Sequence, residues 1–156
     1  MLAHYPHCAA YDPPMNTDDL LAIEQIKQLK ARYFRFVDTK QWDALADLFT
    51  LEGEVRFGES EADRWIVGRH RIVRILQRTI GDGVTVHQGF MPEIEITGPA
   101  TAVGTWAMHD LVDKPSGDRP IQLRGYGHYY ESYAKEPDGV WRIARLQLTR
   151  VRVDPL

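Results

Sequence analysis

The 156-residue sequence has a single cysteine, Cys8, so it cannot form an intramolecular disulfide and does not require an oxidising compartment. It contains no apolar run near the roughly 18 residues that a membrane-spanning helix needs. Its first residues also lack the basic region followed by an apolar core that marks a secretory signal. These absences predict a cytoplasmic protein with no membrane partner.

An excess of basic residues is missing as well. The sequence has 19 lysines and arginines against 22 aspartates and glutamates, which gives a formal net charge of −3. Proteins that bind nucleic acid through its phosphates usually carry a basic excess or a basic stripe, so we expect no nucleic-acid partner. The C-terminal segment does contain a local cluster of arginines, at positions 142, 145, 150 and 152.

Motifs for phosphate-binding loops, dinucleotide binding and zinc proteases are absent from the sequence. His4, His7 and Cys8 have side chains that can ligate a metal, but they lie in a proline-rich segment, which argues against a fixed site. Because Cys8 falls outside the expected fold, a cysteine nucleophile is disfavoured too. We therefore expect neither a cofactor nor a bound metal.

The composition that is present, 44% hydrophobic and 26% charged, is typical of a globular domain and excludes disorder of the whole chain. Pro6, Pro13 and Pro14 predict an irregular N-terminal arm over residues 1–16. The patterned remainder, 17–156, is short enough to form one domain.

Helical periodicity follows the predicted arm. The first helix is expected to begin near the capping candidates Asn16 to Asp18, and its apolar stripe consists of Ala22, Ile26, Leu29, Tyr33 and Val37. A second helix is expected over about 41–49 and a third over about 69–79. The third helix places its arginines on the side facing water, and we assign them no function.

The periodicity changes to two in the second half of the chain. One early strand is expected to start at 54–57, and four more cover roughly 84–97, 101–113, 121–134 and 140–153. Short glycine- and proline-containing turns separate these four strands and favour antiparallel pairing. Helices followed by strands define the α+β class, in which a strongly bent sheet wraps around the first helix and encloses a pocket.

Polar side chains on or beside apolar faces are the informative residues, since burying them costs free energy unless they are paired. Five such residues are Tyr33, Asp38, His87, Asp110 and Arg150. Together they supply the parts for proton transfer: a base that titrates near neutral pH, a carboxylate to orient it, and acids to receive charge.

A structural alternative exists for each of them. Tyr33 can be a core tyrosine, and His87 can be a structural histidine. A carboxylate at the C-terminus of a helix opposes the helix dipole and calls for a cationic or hydrogen-bonding partner, but Asp38 can instead be an exposed turn residue. Arg150 shares its alternation with Arg142 and Arg152, and any of the three can face outward. Asp110 is the clearest anomaly, because it ends an otherwise apolar strand face.

The order of elements and three segments, residues 29–49, 86–94 and 138–152, resemble the SnoaL-like branch of the nuclear transport factor 2-like superfamily. The resemblance covers residues 17–153. It implies the cystatin-like α+β fold, in which a cone-shaped, strongly bent sheet of antiparallel or mixed strands packs on a long N-terminal helix and two shorter helices. Because this fold hosts many unrelated activities, function has to be argued from the site.

Within that branch the sequence is most similar to the bile-acid dehydratases. Their tyrosine and aspartate near the end of the first helix match Tyr33 and Asp38, and their histidine matches His87. Their aspartate on the following strand matches Asp110, and their arginine on the last strand matches Arg150.

Two related enzymes are similar but depart from this pattern. Hexachlorocyclohexane dehydrochlorinase has a histidine–aspartate dyad that falls on His87 and Asp38, but it carries lysine where this chain has Tyr33. Scytalone dehydratase uses two histidines and two tyrosines, and His109 lies beside the matching position.

The resemblance therefore implies a cofactor-free lyase, a dehydratase acting on a hydrophobic cyclic substrate such as a steroid, terpenoid or polyketide-like ring. His87 would be the general base, and Asp38 would fix its tautomer. Either Tyr33 or Asp110 would be the acid, and Arg150 would anchor Asp110 or a substrate oxygen. An isomerase or cyclase, a binding protein for an apolar ligand, and an assembly module like the small subunits of aromatic-ring dioxygenases are the alternatives. A homo-oligomer, dimer or trimer, is expected through the outer sheet face near Tyr126 and Tyr130.

Overall fold

A 22-residue helix, α1 (Thr17–Asp38), leads the described part of the chain and packs across one face of a six-stranded sheet. The computed structural model describes residues 16–58, 64–115 and 120–156. Asn16 accepts a hydrogen bond from the backbone N–H of Asp19 at 2.8 Å, which confirms the predicted N-cap. The rest of the predicted arm lies outside the described residues. The other elements are α2 (Trp42–Ala46), β1 (Phe49–Phe57), β2 (Ile66–Val67), α3 (Arg69–Ile80), β3 (Val84–Gly98), β4 (Thr101–Lys114), β5 (Ile121–Lys135) and β6 (Trp141–Pro155).

The strand order β2-β1-β6-β5-β4-β3 confirms the predicted four-stranded antiparallel meander. It also adds a feature that the sequence did not predict, because β1 pairs with β6 in parallel. The short strand β2 extends the sheet antiparallel to β1. The sheet is therefore mixed, and with its three described helices the class is α+β, as expected.

The predicted boundary between the second helix and the first strand is wrong. The helix ends at Ala46 rather than near residue 49, and Phe49 already pairs with Ile143 of β6. Leu48 and Phe49 continue the apolar pattern of the helix, but Leu48 lies buried in the turn after it and Phe49 is buried at the start of β1. Tertiary pairing overrides helical spacing here, which a short apolar run cannot reveal by itself.

The first part of β3, before its register shift between Phe90 and Glu93, turns its polar face inward, whereas Ile94 beyond the shift packs against the core. Val84, Val86 and Phe90 are 64%, 46% and 47% exposed, whereas Thr85 is buried and His87 is largely covered. His87 thus lies on the face opposite the apolar residues, as predicted, but that face is the one that packs against α1. Gly89 leaves room for the helix, because a Cβ there would lie 2.7 Å from the Phe34 ring.

Strand β6 does not keep the strict alternation that would place three arginines on one face. Register shifts put Arg150 opposite Gly127 but Arg152 opposite Tyr126, so these two arginines point to opposite faces. Arg142 instead forms ion pairs with the acidic residues of the β5–β6 turn. The prediction that Arg142, Arg150 and Arg152 share a face is therefore wrong, and Arg150 is the one directed inward.

The stripe predicted for α1 is buried, but it includes an unpredicted charge. Lys30 and Glu131 form an ion pair whose side chains are fully inaccessible to solvent. The Tyr133 hydroxyl donates a hydrogen bond to the other oxygen of Glu131, and the Trp106 indole donates to Tyr133 at 2.8 Å. The Lys30 ammonium also lies 3.6 Å from the centroid of the Tyr129 ring.

Desolvation changes the titration of this pair. Burial lowers the pKa of Lys30 from 10.5 to about 8, although Glu131 acts in the opposite direction. Because the unfolded chain then binds more protons than the folded chain between those values, the free energy of unfolding rises with pH there. The contribution is complete above pH 10.5 and is lost as the pH falls through about 8.

We expect the double variant Lys30→Met/Glu131→Gln to lose this rise. Urea unfolding at several pH values between about 8 and 9.5, below the range where tyrosines titrate, measures it. Lys27→Met, which removes an exposed lysine of the same helix, is the matched control. A double variant whose stability follows the parent's pH dependence would contradict the assignment.

Candidate active site

A cavity of about 470 Å³ lies between α1, α3 and the sheet. Four of the five predicted site residues line it: Tyr33, His87, Asp110 and Arg150. Most of the remaining wall is apolar and consists of Val37, Phe57, Leu76, Ile80, Val112, Ile121, Leu123 and Leu148. A larger groove of about 780 Å³, which includes Glu93, Glu95 and Arg145, contains none of the five.

Asp38 lies directly behind His87. Its Oδ1 is 2.6 Å from the ring Nδ1 of His87, and its Oδ2 accepts the backbone N–H of the same residue at 2.9 Å. The Thr85 hydroxyl also donates to Oδ1 at 2.9 Å. The Asp38 side chain is 22% exposed, so it is a paired carboxylate rather than the exposed turn residue of the alternative interpretation.

This contact decides which ring nitrogen of His87 is available. A carboxylate oxygen can only accept, so the neutral imidazole places its proton on Nδ1 and leaves the Nε2 lone pair unprotonated. Phe34 stacks on the ring with an interplanar angle of 9° and a centroid distance of 6.4 Å. The imidazole, which lines the cavity, is therefore held in one orientation with an accepting nitrogen.

Asp110 and Arg150 form a second pair on the cavity wall. The two guanidinium nitrogens donate to the two carboxylate oxygens at 2.7 and 2.6 Å. Asp110 lies directly opposite His87 in the pairing of β3 with β4. Because both of its oxygens already accept charge-assisted hydrogen bonds, Asp110 is suited to hold negative charge rather than to donate a proton.

Gly125 makes room for that pair. It lies opposite Asp110 on β5, and a Cβ there would come within 1.6 Å of Arg150 Nη1 and 2.3 Å of Asp110 Oδ1. The guanidinium therefore occupies the space that any side chain at this position would fill. The sequence signal was available, since glycine inside a strand often marks a close approach.

Tyr33 supplies a hydroxyl that remains protonated. The residue is buried, and its ring packs edge-on against Phe34, Phe49 and Tyr129. Burial raises the pKa of Tyr33 well above its ordinary value, and the nearby carboxylates of Glu131, Asp110 and Asp38 raise it further. Tyr33 is therefore both the core tyrosine of the structural alternative and a hydrogen-bond donor on the cavity wall.

Other residues of the site were missed by sequence reasoning. Thr85 supports Asp38, and Lys40 donates to the Thr85 hydroxyl at 3.0 Å. Lys30 and Glu131 lie behind the aromatic wall. Helical spacing could have revealed Lys30, which is four residues after Ile26 and three before Tyr33 on the buried stripe.

The described residues define an α+β domain. Between its helices and its sheet lies a largely apolar cavity with a few polar side chains on its wall. Residues 18–147 match the SnoaL-like domain family. The chain belongs to this family, within the nuclear transport factor 2-like superfamily, and the resemblance seen in the sequence is confirmed at this level.

Solved structures share the fold. A Novosphingobium aromaticivorans protein provisionally described as a scytalone dehydratase superposes with a TM-score of 0.77 at 22% identity, covering 90% of this chain and 92% of that one. A type 3 hexachlorocyclohexane dehydrochlorinase from Novosphingobium barchaimii gives 0.74 at 20%, covering 89% and 92%. An N. aromaticivorans protein with a cystatin-like, nuclear transport factor 2-like fold gives 0.62 at 18%, also covering 89% and 92%. At these identities the likeness concerns the fold.

The described ranges lack two features that would bear on partners. Outside the undescribed stretches 1–15, 59–63 and 116–119, no helix is long and apolar enough to cross a membrane. The same residues contain no group of three or more histidine, cysteine or acidic side chains placed to hold a metal ion. His4, His7 and Cys8 lie outside the described residues.

We expect Gly125→Ala to destabilise the protein by about 1–3 kcal/mol, the range for overpacking a filled site. The larger cause would be the clash with Arg150, which adds to that with Asp110, so the same substitution should cost less in an Arg150→Ala background. Urea unfolding of the four proteins of this double-mutant cycle measures the coupling. Equal costs in the two backgrounds would show that Gly125 serves another purpose.

Proposed function

We propose that the protein is a lyase of the dehydratase type that acts without a cofactor on a hydrophobic cyclic substrate. The observation that carries the proposal is the His87 imidazole on the wall of an apolar cavity, with Nδ1 on Asp38 and Nε2 left to accept a proton. A base held in this way meets the geometric and chemical requirements of general base catalysis.

The proposed reaction eliminates water across two neighbouring carbons of the substrate. One carbon loses a proton and the other loses its hydroxyl group. Nε2 of His87 takes a carbon-bound proton, and the electrons of that bond form a carbon–carbon double bond or an enolate. The carbon–oxygen bond then breaks, and the leaving hydroxyl takes the proton back from the imidazolium, which returns His87 to its neutral form. Substrate gives product and water, so the reaction balances without an oxidant or reductant.

The other polar residues stabilise charge in this proposal. Asp38 stabilises the imidazolium that forms on His87, at 2.6 Å from Nδ1. Tyr33, which retains its proton because of burial, donates a hydrogen bond to the oxygen that becomes negative. Arg150 anchors Asp110 and leaves part of its guanidinium, 30% exposed as a side chain, for a substrate oxygen.

The cavity supports the substrate class. Its volume of about 470 Å³ falls within the usual range for small-molecule sites, and most of its lining is aliphatic or aromatic. A fused-ring steroid, a terpenoid or a polyketide-like ring fits this chemistry. The structurally similar proteins support the reaction class, since one is provisionally described as a dehydratase and another is named a dehydrochlorinase of a ring compound.

An isomerase or cyclase is the second candidate, because proton removal next to a carbonyl is the first step of those reactions as well. The observation that favours it is the double engagement of Asp110 by Arg150, which leaves few groups to protonate a leaving hydroxyl. A protein that binds an apolar ligand without turnover would use the same cavity without depending on His87.

We expect His87→Ala to lower kcat/KM by about a hundred- to ten-thousand-fold, the usual contribution of a general base. The measurement is mass spectrometry of hydroxylated and ketonic steroids, terpenoids and polyketide-like rings incubated with the protein. Loss of one water with the parent establishes a dehydratase, and an isomeric product of unchanged mass establishes an isomerase or cyclase. His109→Ala is the matched control, since His109 pairs with Gln88 and stacks on Tyr126 on the other face of the sheet. Turnover that survives His87→Ala would refute its assignment as the base.

We expect Tyr33→Phe to lower kcat by about a hundredfold, as removal of one donor to a developing oxyanion does. Steady-state kinetics on the substrate found above measure the effect, with Tyr130→Phe on the opposite sheet face as control. If Asp110→Asn abolishes turnover while Tyr33→Phe leaves it intact, the two roles are exchanged.

A further inference from the structure

Lys40 occupies a backbone conformation that lysine rarely adopts. Its φ is +59°, and Met91 is the only other non-glycine residue with positive φ in the described ranges. Lys40 directly follows Thr39, the C-cap of α1. Glycine is the usual residue at the position after the C-cap, because it has no Cβ to clash. Since glycine would be the unstrained residue here, the contacts of the Lys40 side chain are informative.

The Lys40 ammonium reaches the Asp38–His87 pair through Thr85. Its Nζ donates to the Thr85 hydroxyl at 3.0 Å and to the Val37 carbonyl at 3.3 Å. Burial lowers the pKa of Lys40, while Asp38 and Asp82 raise it. The cation is thus hydrogen-bonded to a hydroxyl of β3 and is stabilised electrostatically by both carboxylates.

The direction of the hydrogen bonds follows from chemistry. An ammonium can only donate, so the Thr85 oxygen accepts from Lys40, and its own proton is directed to Asp38 Oδ1 at 2.9 Å. The same Oδ1 lies 2.6 Å from Nδ1 of His87. Lys40, Thr85, Asp38 and His87 therefore form one hydrogen-bonded chain, in which Thr85 and His87 both donate to Asp38.

We propose that Lys40 and Thr85 are positioning residues that fix the Asp38 carboxylate and thereby set the proton affinity of the His87 imidazole. The catalytic importance of this chain rests on the proposed function, but its effect on His87 does not. No substrate contact is assigned to either residue.

The charges around His87 give the expected direction. Asp38 faces it from α1, Lys40 acts through Thr85, and Asp82 lies near Lys40. Asp110, paired with Arg150, lies across the strand pairing, and Tyr33 is neutral. Removing the Lys40 cation leaves the negative charge of Asp38 less compensated. This stabilises the imidazolium form of His87, so His87 should titrate at higher pH.

The test is proton NMR of the full chain, with the His87 signals assigned by their loss in His87→Ala. Lys40→Gly should raise the pH at which His87 titrates and weaken the downfield Nδ1–H signal. Its melting temperature should stay the same or rise, because glycine relieves the positive φ. A purely structural cap would show the stability effect alone.

Three further variants complete the design. Thr85→Val should weaken the same Nδ1–H signal, and Thr85→Ser should restore it by returning the hydroxyl. Met91→Gly, which relieves the other positive φ at a residue 93% exposed, should leave His87 unchanged. With a turned-over substrate, Lys40→Gly should lower kcat by about tenfold to a hundredfold with little change in KM.

Unchanged His87 titration and an unchanged Nδ1–H signal in Lys40→Gly would overturn the proposal, whatever happens to turnover. Absence of turnover in the parent would contradict the proposed function, but it would leave the NMR result intact. The two failures are therefore distinguishable, and Lys40→Gly decides the matter even if Thr85→Val does not fold.

Discussion

The hydrogen bonds of the Asp38 carboxylate are the interaction that joins α1 to β3 and orients His87 in the candidate site. This carboxylate closes α1, where the helix dipole disfavours negative charge, and it is compensated by hydrogen bonds from Thr85 and His87 of β3. The backbone N–H of His87 ties the strand to the helix, and the ring of the same residue takes its orientation from the same carboxylate. The contact that docks α1 on β3 is thus the contact that leaves Nε2 of His87 available.

Three paired sets of polar side chains hold the interior in a related way. Lys30 of α1 meets Glu131 of β5, Asp38 of α1 meets His87 of β3, and Arg150 of β6 meets Asp110 of β4. Buried ion pairs contribute little net stability, because desolvation offsets most of the attraction, whereas leaving one partner alone is costly. Each pair joins two different elements, so loss of one partner would leave an uncompensated polar group at a junction between them.

The sequence predicted the parts of this arrangement that follow from periodicity. The apolar stripe of α1 and the long strands are strongly patterned, so the helix face, the meander and the inward direction of Asp110 could all be read from them. Tyr33, Asp38 and His87 stood out because polar groups interrupt such patterns or lie beside them. The matches to a family motif then singled out Arg150 from the other arginines of its strand.

The rest could not be predicted because it depends on pairing between distant segments. Phe49 belongs to a strand only because Ile143 lies beside it. Arg150 points inward only because register shifts in β6 change its alternation relative to Arg142 and Arg152. Lys40 and Thr85 acquire a role only where the end of α1 meets β3, forty-five residues apart in sequence. Lysine is usually exposed to solvent, so its position in the sequence does not indicate a contact with a distant strand.

Under the proposed function, the asymmetry between Asp38 and Asp110 explains how His87 would act as the base. Asp38 binds a single ring nitrogen and so leaves the other with a lone pair, whereas both oxygens of Asp110 are taken by one guanidinium. The Asp38–His87 contact prepares the imidazole to take up a proton. The Asp110–Arg150 pair holds fixed charge near the position where a substrate oxygen would become charged. Under the proposed function, the protein therefore determines where a proton is removed, while the substrate determines the outcome. A hydroxyl on the neighbouring carbon leads to elimination, and its absence leads to isomerisation. This is why one cavity geometry is compatible with more than one reaction in a fold that hosts many activities.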